Sequence, residues 1–294
     1  MEAVSVAVPR KGRPVEAVLE RFARGAPEDV AAAAADAVST LRYEKAVTKG
    51  EATAETDVYE RLARYSDPGA PYAPEFTLLR DARAGMPRRI VFDSLTVPFG
   101  DREVRLVGRE EPFRALRKHE FALGFDSADL VLEEVVTLTD EPLRTLGGVN
   151  ARIDPIDTDV RLVDGLDDTV HHTLLATPDA CEETPLDRSF LRQYEGPLCI
   201  APRYERLVEA VVGTGALDGV EFVYPTEGQE EEAAIADAGA GVYLTVTGST
   251  ARDHGLLVGE RLFPSETVLL ENTAEADAET QAVAERLFAV PEPA

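Results

Sequence analysis

The chain has 294 residues, 44% of them hydrophobic, enough for one large core or two smaller ones. Its net charge is −25, from 55 acids against 30 bases, and only Lys11, Lys45, Lys49 and Lys118 are lysines. So acidic a surface argues against nucleic acid as a partner, because a phosphate backbone needs basic patches.

Carboxylates hold water and cations, and concentrated salt screens their mutual repulsion, so a lysine-poor acidic surface reads as adaptation to high salt. Cys181 and Cys199 are the only cysteines. Neither has zinc spacing, and two thiols do not make a disulfide framework. No apolar run reaches the roughly 18 residues of a membrane span. The first apolar stretch, "VSVAVP", is too short for a signal peptide and its basic residues follow it. The expectation is a soluble cytoplasmic protein with no membrane partner.

In chain order, "AVSVAVP" (3–9) predicts a buried strand. "RPVEAVLERFARG" has helical spacing and a closing Gly25. "PEDVAAAAADAVSTLR" (27–42) is helical by its alanines, and "VYERLARY" (58–65) predicts a short helix before the breakers "SDPGAPYAPE" (66–75). This part reads as an insertion or lid. "RRIVFDSLTV" and "REVRLVGR" alternate as strands, "EPFRALRKH" is helical, "FALGF" is a strand and "SADLVLEE" a helix opened by Ser127. Residues 139–168 are loose and rich in Asp and Gly, and "VHHTLLAT" (170–177) predicts a strand. "PLCIAP", "VEFVYP", "GVYLTV" and "ETVLLEN" are further strands. "RYERLVEAVVGTG", "EGQEEEAAIADAG" and "DAETQAVAERLFAV" are the helices among and after them. Strands alternating with helices predict an α/β fold with a largely parallel sheet.

Four stretches carry candidate chemistry. In "YLTVTGSTARDHGL" (243–256), Thr247, Ser249 and Thr250 crowd around Gly248 after a strand. Glycine there admits positive φ, and outward N–H groups with hydroxyls suit a phosphate; an ordinary strand-to-helix turn is the other reading. In "VPRKGRP" (8–14), Arg10, Lys11 and Arg13 surround Gly12 at a strand's carboxyl end, where open α/β sheets bind ligands; a solvated loop is the alternative. In 107–134, Arg109 ends a strand, and Asp126 and Asp129 offer acceptors for ribose hydroxyls or act as caps. In "TEGQEEE" (226–232), Thr226 reads as an N-cap. His171 and His172 face opposite sides of a strand and cannot chelate together. No Walker, nucleophile-elbow or zinc-protease pattern is present.

Taken in order, these pieces resemble the ATP phosphoribosyltransferases that open histidine biosynthesis. The family's "KGRL" loop matches Lys11-Gly12-Arg13-Pro14, and its arginine before "DIP" matches Arg109 before Pro112. Its "DLGITGxDLxxE" matches "ALGFDSADLVLEE", its "CRLVVAVP" matches "HHTLLATP", and its "RIATxYP" matches "LCIAPRY". Most specific is "AGAGVYLTVTGSTARDHGL", which keeps Thr247, Gly248, Thr250, Arg252, Gly255 and Leu256. The resemblance covers roughly residues 1–25, 100–134 and 170–294. It departs at Tyr243, which stands at the family's acidic position, and at Asp126-Ser127, where the family has Thr-Gly.

The resemblance implies a two-lobed, periplasmic-binding-protein-like α/β fold, type IV phosphoribosyltransferase-like, with two insertions at about 26–88 and 135–168. Lobe I would be residues 1–175, lobe II 176–264 with the phosphate loop, and 265–294 would return to lobe I, so that the chain crosses twice. It implies transfer of the phosphoribosyl group of phosphoribosyl pyrophosphate to a nucleotide, ATP in the family, with Mg²⁺ and loss of pyrophosphate. Thr247, Gly248, Ser249 and Thr250 would hold the 5-phosphate. Lys11, Arg13 and Arg109 would meet the pyrophosphate or nucleotide phosphates, and Asp126 and Asp129 the nucleotide or its ribose. The chain would match the short form, without the long form's regulatory domain. No metal ligand is assigned, and a homo-oligomer is left open. The second reading is a sensor or regulatory subunit of the same fold that binds phosphoribosyl pyrophosphate or a nucleotide without turnover.

Overall fold

The computed structural model describes residues 3–24, 26–66, 69–70, 72–80, 88–181 and 185–289. The expected closing glycine Gly25, part of the breaker cluster (67, 68 and 71), residues 182–184 and the final residue of the expected last helix, 290, lie outside them. The chain forms two compact units, each α/β with its own sheet. The first comprises Met1–Asp126, Asp159–Asp168 and Thr267–Ala294, the second Ser127–Thr158 and Thr169–Glu266.

The first unit begins with β1 (Val4–Pro9), α1 (Arg13–Ala23), α2 (Glu28–Lys49), α3 (Val58–Tyr65) and β2 (Glu75–Arg80). It continues with β3 (Arg88–Phe99), β4 (Arg102–Arg109), α4 (Pro112–Arg117) and β5 (Leu123–Ser127). The chain enters the second unit with α5 (Ala128–Glu134), returns for β6 (Val160–Gly165), and re-enters the second with β7 (Val170–Ala176). There follow the one-turn helices α6 (Pro178–Cys181) and α7 (Arg188–Leu191), β8 (Gly196–Cys199), α8 (Glu205–Val212), β9 (Val220–Val223) and α9 (Glu231–Ala238). Then come β10 (Ala240–Thr245), α10 (Ser249–Asp253) and β11 (Leu257–Ser265). β12 (Thr267–Asn272) and α11 (Ala278–Ala289) complete the first unit.

The first sheet runs β2-β3-β4-β1-β5-β12-β6. β1 lies between two parallel neighbours, so Val6, Ala7 and Val8 are wholly buried and its sequence is apolar on both faces. The helical spacing of α1 delivers Val15, Val18, Leu19 and Phe22 to the same core, where Phe22 packs on Phe99 with ring centroids 5.2 Å apart. α2 buries Val30, Ala34, Ala37, Val38 and Leu41 there, and stops at Gly50, which takes the left-handed conformation. The stretch expected as an insertion or lid therefore adds a layer to this core. Its alanines admit the close approach of α1 and α2, and Arg42 of α2 pairs with Glu16 and Glu20 of α1.

The second sheet runs β11-β7-β10-β8-β9. Pairing is parallel at β4-β1-β5 and β10-β8-β9, but antiparallel at β2-β3-β4, β12-β6 and β11-β7-β10. Both sheets are thus mixed rather than largely parallel. One cause is the two-residue turn Gly100–Asp101 between β3 and β4, with Gly100 at φ 71°, which forces a hairpin. Another is that β7 and β10 meet in opposite directions, with Thr173 and Thr245 sharing a hydrogen bond of 2.6 Å.

The observed division departs from the expected one. Residues 127–158 and 169–175 lie in the second unit, because β7 is the middle partner of β10 and β11 and α5 packs against α8. Residues 159–168 form β6 on β12, so the chain passes between the units four times. Ser127 caps α5 as expected, through its hydroxyl and the Asp129 N–H. Thr226 does not cap α9, which begins at Glu231; it closes a turn on Gln229 instead, N–H and hydroxyl both donating to the amide oxygen.

Candidate functional site

In the first unit, β1 ends at Pro9, directly beside Arg109 of β4 in the parallel ladder. Gly12, at φ 83°, turns the chain into α1, whose first residues are Arg13 and Pro14. Three of the candidate cations, Lys11, Arg13 and Arg109, are therefore placed by the carboxyl ends of β1 and β4. Gly108 permits this crowding: a Cβ there would lie 2.6 Å from the Phe92 carbonyl oxygen and 3.0 Å from the Arg10 side chain.

Each basic residue of the loop meets an acid. Arg10 reaches Asp93 at 3.6 Å and donates from Nε to the Gly108 carbonyl at 3.1 Å. Lys11 Nζ donates to Glu110 Oε2 at 2.9 Å. Arg13 donates from Nη1 to the Asp168 carbonyl, and its Nε lies 3.5 Å from Asp168 Oδ2. The Asp168 carboxylate is itself held by Thr267, which donates its N–H and its hydroxyl at 2.7 Å each. Arg109 lies over the Phe121 ring, 4.8 Å from its centroid, with Nη1 on the Gly108 carbonyl. The spacing of "VPRKGRP" revealed the cations but not these partners, and Asp168 fell in the stretch read as loose.

Asp126 and Asp129 are three residues apart in sequence but belong to different units. Asp126 is buried and accepts the Phe113 N–H at 3.0 Å, capping α4. Asp129 is buried, accepts the Ser265 hydroxyl at 2.9 Å and stands 3.0 Å from Nε2 of the wholly buried His172. Both carboxylates are thus engaged by protein groups.

In the second unit, β10 runs out into the turn of Thr247 and Gly248. Gly248 adopts φ 71° and ψ 18°, and a Cβ on it would sit 2.8 Å from Val258 Cγ2. Thr247, Ser249 and Thr250 are exposed while Ala251 is buried, so the hydroxyl side of the turn faces solvent and its apolar side faces the core. The Thr247 and Ser249 hydroxyls lie 3.1 Å apart, and Arg252 donates to the Thr247 carbonyl at 2.9 Å. These contacts tie the Thr247 and Ser249 side chains into the turn, and the Ser249 N–H donates to Thr247 Oγ1 at 3.4 Å.

Beneath the turn, Tyr243 packs with Cys199, Ile235, Ala251 and Leu256. Burial, together with the nearby Glu231 and Glu232 carboxylates, pushes its phenol up to about 12, so it stays protonated. Burial also pushes the Cys199 thiol up to about 11. Both cysteines are buried and neither is in a disulfide. Among the described residues no three His, Cys, Asp or Glu side chains form a metal cage, and no helix is long and apolar enough to cross a membrane.

Among solved structures, the chain is similar to an ATP phosphoribosyl transferase (HisG:HisZ) complex from Thermotoga maritima, at 13% identity over 98% of each chain with a TM-score of 0.40. It is also similar to the periplasmic VFT2 domain of Bordetella pertussis BvgS, at 13% identity over 63% of this chain and 75% of that one with a TM-score of 0.31. An arginine-bound ArgBP mutant from T. maritima is similar at 11% identity over 64% of this chain and 75% of that one, with a TM-score of 0.33. No curated protein matches the sequence. The family model for halobacterial ATP phosphoribosyltransferase matches residues 1–292, the whole chain but for two residues. The chain belongs to the halobacterial ATP phosphoribosyltransferase family.

Proposed function

We propose that this protein binds phosphoribosyl pyrophosphate and transfers its phosphoribosyl group to ATP, releasing pyrophosphate. The observation that carries the reading is the family match across the whole chain. The open turn of Thr247, Gly248, Ser249 and Thr250 supports it, because exposed hydroxyls around a left-handed glycine at the start of α10 suit a phosphate dianion without any lysine.

In this reading the turn holds the 5-phosphate. Lys11, Arg13 and Arg109 take the diphosphate and the nucleotide phosphates, and Asp126 and Asp129 shape the nucleotide end through the segments that they fix. Catalysis is positioning and the neutralisation of charge on the departing diphosphate, with no covalent nucleophile on the protein. Mg²⁺ fits as an ion carried by the diphosphate. It keeps most of its waters and needs one or two carboxylate oxygens, and the half-exposed Glu110 beside Lys11 is a donor of the right kind. The ion's chemistry would be to offset the negative charge of the leaving group.

Labelled phosphoribosyl pyrophosphate mixed with ATP and Mg²⁺ at molar salt is expected to release pyrophosphate. Thr250→Ala is expected to weaken phosphoribosyl pyrophosphate about ten- to a hundredfold, as loss of a hydrogen bond to a charged group does. No pyrophosphate release with any purine or pyrimidine acceptor would sink the transferase reading. The pairing of Arg10, Lys11 and Arg13 with acids favours a second reading, a binding subunit without turnover, since those cations are already partly neutralised. Calorimetric binding of phosphoribosyl pyrophosphate with zero pyrophosphate release would select it.

A further inference from the structure

We infer that Asp168 is a positioning residue, which fixes the Arg13 guanidinium by the carboxyl end of β1 for capture of a diphosphate group. The inference rests on the role given to Arg13 above. One residue supplies two acceptors to one guanidinium: its carbonyl takes Nη1 and its Oδ2 faces Nε. Two acceptors from one residue restrain the planar guanidinium more than a single contact does.

The anchor is itself anchored. Thr267 binds both carboxylate oxygens, one through its N–H and one through its hydroxyl, and the Leu166 N–H donates to the Thr267 carbonyl at 2.9 Å. The Asp168 side chain is 13% exposed, against 40% for Glu110 and 41% for Asp93, the acids facing Lys11 and Arg10. The carboxylates of those two pairs are more open to solvent and screening than that of Asp168, although Arg13 itself is 37% exposed. The residue before the anchor, Asp167, takes φ 62°, a left-handed conformation that aspartate tolerates better than most side chains, and the chain turns there before Asp168.

An arginine whose rotamers are already restricted loses less freedom when it binds an anion. The Asp168 charge is also spent on two short hydrogen bonds from Thr267, which reduces its repulsion of an incoming diphosphate. Asp168 therefore orders Arg13 without competing strongly for it.

The test is calorimetric titration of inorganic pyrophosphate with Mg²⁺ into the wild type, D168N, R13M and the double variant, with melting curves for each. D168N keeps the shape of the side chain and removes its charge. It is expected to weaken pyrophosphate about three- to tenfold. R13M should weaken it further, and the double variant should bind no worse than R13M. In turnover, D168N should raise KM for phosphoribosyl pyrophosphate and leave kcat unchanged, which a merely structural defect would not do. Should D168N fail to fold, T267V removes one of the donors that fix Asp168 and should give a smaller loss in the same direction. Unchanged or tighter binding in D168N with transfer intact overturns the positioning role alone. Pyrophosphate binding that responds to D168N, with no transfer to any acceptor, supports the positioning and retires the transferase reading. No pyrophosphate binding by the wild type overturns both.

Discussion

Glu44 and Arg61 meet in the interior of the first unit through two hydrogen bonds, Nε to Oε1 at 2.8 Å and Nη2 to Oε2 at 3.1 Å. Tyr65 adds its hydroxyl to the same carboxylate at 2.9 Å, and burial with Glu44 pushes that phenol up to about 12. The pair joins α3 to α2. Removing one partner leaves a buried charge without compensation. Glu44→Ala is therefore expected to cost roughly 3–5 kcal/mol in urea unfolding at fixed salt. The double change E44L with R61M, which removes both charges, should recover most of it. If E44A unfolds at the wild-type urea concentration, the pair contributes nothing.

Gly248→Ala tests the turn without touching a hydroxyl. The left-handed conformation costs a side chain about 1–2 kcal/mol, and the new Cβ meets Val258 Cγ2 at 2.8 Å. A small drop in melting temperature is expected, with loss of phosphoribosyl pyrophosphate binding of tenfold or more as the amides are re-aimed. Unchanged affinity measured by calorimetry would show that the turn's backbone is not part of the binding site.

His171 is held below its ordinary pKa of 6.5, first by burial and then by Arg261 and His172. A histidine with a lowered pKa is protonated more readily in the unfolded chain. Stability therefore rises with pH in the window below 6.5 and is lost as pH falls through it. His171→Gln should flatten the difference in urea midpoint between about pH 5.5 and pH 7.5 relative to the wild type. Identical pH dependence in the two proteins would rule out His171 as a contributor.

Cys199 is 2% exposed, and its thiol is pushed up to about 11. At pH 8 only about one molecule in a thousand carries the thiolate, which is the reactive form. Iodoacetamide is expected to leave Cys199 unmodified in the folded protein over hours and to modify it at once in urea, with peptide mass spectrometry as the readout. Rapid native labelling would contradict the buried placement.

The parts of the fold that were legible in the sequence are those whose pattern is local. The apolar run of Val6 to Val8 signalled a central strand, the spacing of Val15, Val18, Leu19 and Phe22 signalled α1, and Ser127 signalled its own cap. Strands β2, β6 and β11 were missed: β2 follows directly on the breaker cluster, β6 ends in Asp164 and Gly165, and Gly259, Glu260 and Pro264 interrupt β11, an edge strand whose register shifts twice. In the site, glycines and hydroxyls marked the 247–250 turn because their conformational needs are written in adjacent residues. The partners of the cations were not legible. Asp168 lies 155 positions from Arg13 and 99 from Thr267, and no short pattern encodes contacts at that separation.

Residues 159–168 leave the second unit only to lay β6 along β12 and to end on Asp168. That detour is shared property, since the sheet's outer border and the tether of Arg13 come from one excursion of the chain. A shortened protein lacking it would bare the flank of β12 and unmoor the arginine in a single cut. Its length is therefore bound, as a surface loop's is not, by the pairing of β6 with β12 and by the contact of Asp168 with Arg13.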